Sequence, residues 1–194
     1  MRRDPALGDV MRAVGPCGIE RRGDPYRALL RSILYQQLAG AAAGAIERRF
    51  KGLYRGRYPT AAALLATSEE TLRAAGLSRQ KQAAMRAVAE AFASGELSNR
   101  RLARMPDADV VEAVTKVHGI GEWTAHMLLM FSLERPDVLP VGDYGVRKGA
   151  AVLYGLADLP KPKQLEAMAE CWRPYRSVAS WYLWRVLELQ HRAD

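Results

Sequence analysis

The sequence predicts an all-α protein built of two helical lobes. Apolar residues recur at three- and four-residue spacing along almost the whole chain, which is the periodicity of amphipathic helices. No two alternating apolar runs are joined by an Asn-Gly or Asp-Gly turn, the usual signature of a β-hairpin. Residues 134–142 are rich in proline and short on helical periodicity, so we interpret this segment as the connection between the lobes.

Residue types that cap helices mark where the first helices begin. Asp24 followed by Pro25 is typical of a helix start, and the apolar spacing continues this helix toward Gln37. Thr, Ser and Pro-Asp in front of later apolar runs indicate further helix starts in the same way. The predicted helices of this half follow Gly40 and Thr60, run from Ser68 to Gly76 and from Ser78 to about Ser94, and start again at Pro106.

The second half of the chain continues the helical pattern on both sides of the connection. A helix is predicted from Glu122 to about Leu133, after a very short turn that contains two glycines. Helices resume at Asp143, around residues 163–171, and from about Pro174 to Gln190. This order assigns residues 25–135 to one lobe and residues 1–24 together with 136–194 to the other.

Composition excludes several classes of protein. The chain has 194 residues, 49% of them hydrophobic, which is enough for a folded core. No stretch approaches ~18 consecutive apolar residues and no signal-peptide pattern is present, so we expect a cytoplasmic protein without a membrane partner. Cys17 and Cys171 lack nearby Cys or His residues, which argues against a zinc site, an iron–sulfur cluster or a disulfide and suggests two small core residues.

The charge is basic and unevenly distributed. A net charge of +8 favours a polyanionic partner, although solubility or genome composition produces a basic surface as well. Residues 1–60 hold 12 of the 29 Lys and Arg residues but only 5 of the 21 Asp and Glu residues. Nearly all of the positive excess therefore lies in the first third of the chain.

The most specific local signal is the turn within residues 117–125, Val-His-Gly-Ile-Gly-Glu-Trp-Thr-Ala. Gly119 and Gly121 permit positive φ and leave backbone N–H groups unshielded by a Cβ. At the start of a helix, such N–H groups form an anion site suited to one DNA phosphate. The alternative is a tight corner between two helices, in which Ile120 fills the core and the glycines only turn the chain.

This hairpin is followed by Leu-Pro-Val-Gly-Asp-Tyr at residues 139–144, and the whole arrangement resembles the helix-hairpin-helix (HhH-GPD) DNA glycosylases. The resemblance extends from about residue 24 to residue 189. It implies a two-lobed helical fold with a DNA-binding cleft between the lobes, and it casts Asp143 as the catalytic carboxylate. Taken alone, Asp143 is more simply an ordinary helix N-cap, and it is the hairpin and the Asp143 segment in this order and spacing that favour the catalytic interpretation.

Two further segments carry the resemblance. Residues 33–38 resemble the segment with which these enzymes enter the minor groove, where Gln37 or Leu38 fills the gap left by the extruded nucleotide. The alternative is a plain helix end with two solvated glutamines. Residues 172–177 and 181–184 are similar to the alkylated-base branch, the 3-methyladenine DNA glycosylase II type. Escherichia-type members of that branch carry an extra N-terminal β-rich domain, for which we expect no counterpart here.

The resemblance also implies the chemistry. Bifunctional members place a nucleophilic lysine two residues after the second hairpin glycine, where this chain has Trp123. We therefore expect a monofunctional enzyme that hydrolyses the N-glycosidic bond, with Asp143 stabilising positive charge at the sugar or orienting water. Two alternatives stay open, a non-catalytic helix-hairpin-helix DNA-binding module and a bifunctional glycosylase/lyase that uses another lysine.

The remaining expectations concern binding. We expect a monomer that acts in base excision repair at the bacterial nucleoid. Its expected partner is double-stranded DNA that contains damaged bases such as 3-methyladenine or 7-methylguanine. We expect no catalytic cofactor and no iron–sulfur cluster. Removing Arg48, Arg49 or Lys51 is expected to weaken binding to all DNA sequences. The predicted base pocket consists of Trp123, Met127, Tyr144 and Trp184. The predicted DNA contacts are Gln37, Leu38, Lys116, Gly119, Ile120, Gly121, Thr124 and Arg147. The carbonyls of Thr115, Val117 and Gly119 are predicted ligands of a structural Na⁺ or K⁺ ion.

Overall fold

The computed structural model describes residues 4–20, 23–38 and 40–190. Within these ranges the chain forms twelve α-helices, one short 3₁₀ helix and no β-strand, which confirms the all-α prediction. None of the described helices has the length and apolar character needed to cross a bilayer. The helices are α1 (Pro5–Val14), α2 (Pro25–Tyr35), α3 (Gly40–Gly52), α4 (Ala61–Ala66), α5 (Glu69–Ala74), α6 (Arg79–Ala93), α7 (Asn99–Arg104), α8 (Asp107–Thr115), α9 (Glu122–Phe131), α10 (Tyr144–Leu153), α11 (Pro162–Ala169), the 3₁₀ helix (Glu170–Trp172) and α12 (Arg176–Gln190).

Side-chain caps fix the helix starts that the sequence predicts. The Oδ1 atom of Asp24 accepts a hydrogen bond of 3.0 Å from the Arg27 amide, and Pro25 occupies the first helical position. Thr60, Ser68 and Ser78 cap the next helices in the same way. Each cap satisfies one of the amides that a helix end leaves without a partner, so these predictions are confirmed.

Two helices are present that the sequence analysis did not predict. Helix α1 follows Asp4 and Pro5, the same N-cap and proline signal that marks α2, and it lies before the region of family resemblance. Helix α7 has only six residues, of which three are arginines, so it shows no apolar stripe beyond the buried Leu102. The last helix begins at Arg176 rather than at about Pro174.

The chain divides into two compact units. One comprises Arg22–Leu128 and contains the glycine turn, and we call it the hairpin unit. The other joins Met1–Arg21 to Leu129–Asp194, and we call it the Asp143 unit. The boundary after Leu128 lies within α9. The sequence analysis places this boundary a few residues later, in the proline-rich segment.

The core of the hairpin unit is built around α2, which packs against α3 and α6. Leu29, Leu30, Ile33 and Leu34 lie on its buried face and have no measurable exposure. Burial of each such side chain stabilises the fold by about 2 kcal/mol before the entropy of ordering is counted. This face holds the end of α2, and hence the segment that follows it, against α6.

The core of the Asp143 unit lies between α1, α10 and α12. Helices α10 and α12 approach so closely that a Cβ added to Gly149 would lie 2.1 Å from the Leu183 carbonyl oxygen. This contact brings the start of α10 beside Trp184 on α12. Cys17 and Cys171 pack partly buried against the same core, which agrees with their interpretation as small core residues.

Candidate active site

Asp143 is the N-cap of α10. Its Oδ1 atom accepts a hydrogen bond of 2.7 Å from the Val146 amide, and its side chain is buried, with 8% of the residue exposed. The N-cap interpretation of the sequence is therefore correct as local structure. The Asp143 side chain makes a further contact, because the same oxygen accepts a hydrogen bond from a second donor.

The second donor is the indole of Trp184, whose Nε1 lies 2.8 Å from Oδ1 of Asp143. The Trp184 ring is itself half-buried and stacks on Phe131, with centroids 6.0 Å apart and planes inclined by 20°. Two neutral N–H donors on one oxygen fix the orientation of the carboxylate. The site thus combines an oriented carboxylate with a fixed aromatic ring.

Gly145 allows this arrangement to close. A Cβ at this position would lie 2.7 Å from Cδ1 of Trp184 and 3.2 Å from Oδ1 of Asp143, both too close for an ordinary contact. Glycine in the first turns of a helix is otherwise costly, so its presence here has a packing reason. The neighbouring Tyr144 remains at the surface, with 65% of its area exposed.

The segment before Asp143 is fixed to the start of α12. Arg176 donates from Nε to Oδ1 of Asp137 at 2.7 Å. The hydroxyl of Ser177 accepts from the Val138 amide at 2.9 Å and donates to the Arg135 carbonyl at 2.7 Å. The proline-rich connection is therefore held by polar contacts on both sides of Asp137, which fixes where the chain enters α10.

The glycine turn joins α8 to α9 as the sequence analysis predicts, and its local structure agrees with a tight corner between two helices. Gly119 has φ +84°, and a Cβ there would lie 2.4 Å from that of Ala84. Ile120 is buried with 6% exposure, as expected for a residue that fills the core. Gly121 is exposed at the start of α9, and an anion site at this turn stays a prediction.

Trp123 and Met127 lie on α9 in the hairpin unit, whereas Asp143, Tyr144 and Trp184 lie in the Asp143 unit. Trp123 is 48% exposed and Met127 is half-buried. His126 lies between them in sequence, and burial lowers its pKa below the usual value of 6.5 against the opposing effect of Glu122. Its imidazole is therefore neutral at neutral pH and adds no positive charge to this face of α9.

The predicted phosphate contacts differ in their surroundings. Lys116 is exposed and pairs with Glu112 at 2.8 Å. Arg147 is half-buried and donates from Nε to the Pro160 carbonyl at 2.9 Å. Thr124 is buried, with 4% exposure, and its hydroxyl accepts from Ser32 at 3.4 Å, so this side chain is turned into the hairpin unit rather than toward the surface.

The two predicted wedge residues are both at the surface. Gln37 has φ +57°, a left-handed conformation that is uncommon for a residue other than glycine. Leu38 is 38% exposed although its side chain is apolar. This exposed segment follows directly after the end of α2, where Ile33 and Leu34 are fully buried.

Three residues that matter for this geometry escaped the sequence analysis. Phe131 has the spacing of a core residue on α9, and only the fold brings it against Trp184. Gln36 reads as part of a solvated helix end, yet its Nε2 donates to the Gly119 carbonyl at 3.2 Å. Gly145 carries the one usable signal, since glycine near the start of an otherwise helical run is unfavourable without a packing reason.

A helical fold that offers a glycine hairpin at the start of one helix and a buried carboxylate at the start of another defines the class of helix-hairpin-helix DNA glycosylases. A family model described as HhH-GPD superfamily base excision DNA repair protein matches residues 30–174. The chain belongs to this superfamily, which confirms the resemblance drawn from the motifs.

Individual proteins agree with this placement. DNA-3-methyladenine glycosylase 1 of Schizosaccharomyces pombe is 37% identical over 168 residues, which are 86% of this chain and 74% of that protein. The structure of a DNA-3-methyladenine glycosidase from Bacillus halodurans superimposes with a TM-score of 0.87 at 36% identity, covering 98% of this chain and 93% of the other. The structure of S. pombe 3-methyladenine DNA glycosylase (Mag1) in complex with abasic DNA gives 0.84 at 32% identity, covering 95% and 96%.

Proposed function

We propose that the protein is a monofunctional DNA glycosylase that releases alkylated purines of the 3-methyladenine and 7-methylguanine type from double-stranded DNA. Membership of a base excision repair superfamily and the names of its relatives support this assignment. The single observation that carries it is the Asp143 carboxylate, which is buried and oriented at Oδ1 by Val146 and Trp184.

The chemistry follows from the bond that breaks. Cleavage of an N-glycosidic bond passes through a sugar with positive charge near C1′, and a fixed carboxylate stabilises that charge most strongly where water is excluded. Asp143 meets both conditions, and its hydrogen bonds place the charge before the reaction starts. An alkylated purine is already cationic and leaves readily, so this site does not need a strong general acid.

Hydrolysis by water is favoured over a lyase reaction. Strand scission through a Schiff base requires an amine that attacks the sugar. At the position where bifunctional relatives place that lysine, this chain has Trp123 in the first turn of α9, and an indole cannot form a Schiff base. The proposal therefore ends at an abasic site with an intact strand.

Aromatic rings beside Asp143 supply the selectivity for a cationic base. Trp184 is held by Phe131 and Asp143, and Tyr144 follows the carboxylate directly in the chain. The attraction between such a ring and a cation amounts to about 0.5–2 kcal/mol per face. Trp123 and Met127 stay predicted members of the pocket.

The hairpin is also suited to a monovalent cation. The ligands predicted by the resemblance are neutral carbonyl oxygens of Thr115, Val117 and Gly119. The Val117 oxygen accepts from the Ile120 amide at 3.1 Å, and the Gly119 oxygen accepts from Gln36 at 3.2 Å. A carbonyl oxygen has two lone pairs, so these bonds are compatible with Na⁺ or K⁺ at the same turn. A bound cation would supply positive charge for a DNA phosphate.

The test is base release from duplexes that each carry one defined lesion, followed by alkali cleavage of abasic sites. The wild-type protein is expected to release 7-methylguanine, and Asp143→Asn is expected to slow release by about 10²–10³-fold. Asparagine is as good an N-cap as aspartate, so the variant keeps α10 and its affinity for abasic-analogue DNA.

Each of three other outcomes overturns part of the proposal. No release of any cationic base by the wild type would refute the alkylpurine assignment. Binding without release from any lesion would favour a non-catalytic DNA-binding module. A covalent protein–DNA adduct trapped with borohydride would show a lyase reaction through another lysine.

A further inference from the structure

Three segments of the hairpin unit meet at one point, which we call the α2–hairpin junction. They are the end of α2 with its C-cap residue Gln36, the first half of α6, and the glycine turn together with the first turn of α9. The described residues that form the junction are Ser32, Leu34, Gln36, Lys81, Ala84, Gly119 and Thr124.

Ser32 on α2 and Gln36, the C-cap residue that follows this helix, contact the hairpin segment side by side. Ser32 donates to the Thr124 hydroxyl at 3.4 Å, and Gln36 donates from Nε2 to the Gly119 carbonyl at 3.2 Å. Residues four apart share one face of a helix, so these contacts form a short polar seam along the end of α2. The seam runs toward the predicted wedge, because Gln37 and Leu38 follow Gln36 immediately.

Helix α6 supports the junction from a second direction. Lys81 donates from Nζ to the Leu34 carbonyl at 2.6 Å, one of the terminal carbonyls that α2 leaves without a helical partner. Ala84, nearly one turn later, occupies the space that a Cβ on Gly119 would need. One helix therefore fixes both the end of α2 and the hairpin glycine.

The backbone changes conformation directly after this support. Gln37 has φ +57°, which L-residues rarely adopt and which persists only where neighbouring contacts determine it. Contacts of the three preceding residues hold the backbone that leads into Gln37. The Leu34 carbonyl accepts from Lys81 on α6, the Tyr35 hydroxyl donates to Glu47 at 2.8 Å, and Gln36 donates to the hairpin.

We propose that Gln36 is a positioning residue that couples the phosphate-binding hairpin to the minor-groove wedge, an inference that rests on the proposed function. Its hydrogen bond to Gly119 sets the distance between the hairpin and residues 37–38. When the hairpin holds a DNA phosphate, that bond fixes where the wedge enters the base stack. Gln36 thus acts on extrusion of the nucleotide and not on the bond that Asp143 breaks.

The test separates extrusion from chemistry. The duplex contains a stable abasic analogue with 2-aminopurine beside it, so that fluorescence rises when the wedge disrupts stacking. The Gln36→Met substitution keeps the volume of the side chain and removes the N–H donor. We expect a fluorescence rise at saturating protein that is about two- to tenfold smaller, because the loss of one neutral hydrogen bond changes an equilibrium by about this factor, and a fall in Tm of no more than a few degrees. Gln80→Met, at an exposed glutamine on α6, is the matched control and should behave as wild type.

Two further measurements keep the proposal falsifiable. Gln36→Glu has the same shape without the donor, so it should reproduce the defect if Gln36→Met fails to fold. In a Gln37→Ala/Leu38→Ala background, Gln36→Met should have no additional effect, because a residue that acts through the wedge needs the wedge.

A full fluorescence rise in a folded Gln36 variant, or additive losses in the wedge-less background, would overturn the inference. The readout uses an abasic analogue and needs no base release. If the wild type releases no base but Gln36→Met still lowers the fluorescence rise, the proposed function fails while the positioning role stands.

Discussion

The indole Nε1 of Trp184 donates to Oδ1 of Asp143 across 2.8 Å, although 41 positions separate the two residues in sequence. The contact exists because α10 and α12 pack backbone against backbone at Gly149. The position of the Asp143 carboxylate therefore depends on the position of the Trp184 ring. We expect substitutions of Trp184 to change the rate of base release as well as the affinity for the base.

Trp184→Phe should lower kcat. A phenyl ring retains the stacking on Phe131 but offers no N–H to Asp143, so the indole donor to Oδ1 is lost. A hydrogen bond to a charged group contributes about 1.5–3 kcal/mol, which corresponds to a rate loss of about ten- to a hundredfold. Single-turnover release of 7-methylguanine at saturating enzyme measures the effect.

The same substitution one turn earlier on α12 is the control. Trp181 is buried with 8% exposure and stacks under the Arg185 guanidinium, so Trp181→Phe should reduce stability and leave kcat unchanged. Equal kcat values for Trp184→Phe and wild type would show that the Trp184 indole only packs.

Gly145→Ala should reduce both stability and activity. Intrinsic propensity favours alanine in a helix by about 1 kcal/mol, but the added Cβ lies 2.7 Å from Cδ1 of Trp184 and must displace the ring. Overpacking of this kind costs about 1–3 kcal/mol. Gly8→Ala in α1 is the matched control, because its Cβ would meet only the flexible end of Arg12 at 3.7 Å. Thermal unfolding and base release by both variants would decide, and wild-type values for Gly145→Ala would contradict the close contact.

Local signals were sufficient for most of the fold. The caps at Asp24 and Ser78 and the apolar spacing between them depend only on neighbours in the chain, and the structure confirms the helices that they predict. The same signal at Asp4 and Pro5 also begins a helix, α1, which the sequence analysis did not predict. Helix α7 has one buried apolar residue, which is too little for periodicity to reveal.

The site was only partly predictable, because its determinants are contacts between distant residues. The motif predicts a catalytic role for Asp143, but the hydrogen bond that Trp184 donates to it depends on how α12 packs on α10. Gln36 and Gly119 are 83 residues apart, so nothing in either local sequence indicates their bond. Thr124 is the opposite case. A polar residue at a helix start is typical of a phosphate contact, but in the structure the Thr124 hydroxyl is buried against Ser32.

Asp4 should make the stability of the Asp143 unit sensitive to acid. Burial alone would raise the pKa of this carboxyl, but hydrogen bonds from Tyr154, Trp172 and the amides of Leu7 and Ala6 outweigh it and hold the pKa below the usual 3.8. A group with a lowered pKa in the folded state stabilises fully above its unfolded pKa and loses that contribution as the pH falls through the folded pKa.

The measurement is thermal unfolding of wild type and Asp4→Asn between pH 2 and 7. Asparagine keeps the N-cap but carries no charge, so Tm at pH 7 should fall by about 5 °C, the effect of weakened hydrogen bonds to a charged acceptor. The difference should stay constant down to about pH 4 and shrink below it. Asp9→Asn, at an exposed residue paired with Arg12 on the same helix, serves as control. A difference at pH 2.5 equal to that at pH 7 would mean that the charge of Asp4 is irrelevant.

The basic residues of α3 should differ in what they contribute to DNA binding. Arg49 donates from Nε to the Ala75 carbonyl at 3.0 Å, so it joins α3 to the end of α5. Arg48 is exposed, and its guanidinium lies near Gly44 on α3, as does the hydroxyl of Tyr35, the last residue of α2 before the predicted wedge. We therefore expect Arg48→Ala to weaken binding to any duplex and to reduce the slope of log K against log salt by about 1, without a change in Tm. Arg49→Ala should lower Tm, because the Ala75 carbonyl loses its partner. Titrations at several salt concentrations distinguish the two, and an unchanged slope for Arg48→Ala would leave DNA binding to the uncharged amides of the hairpin.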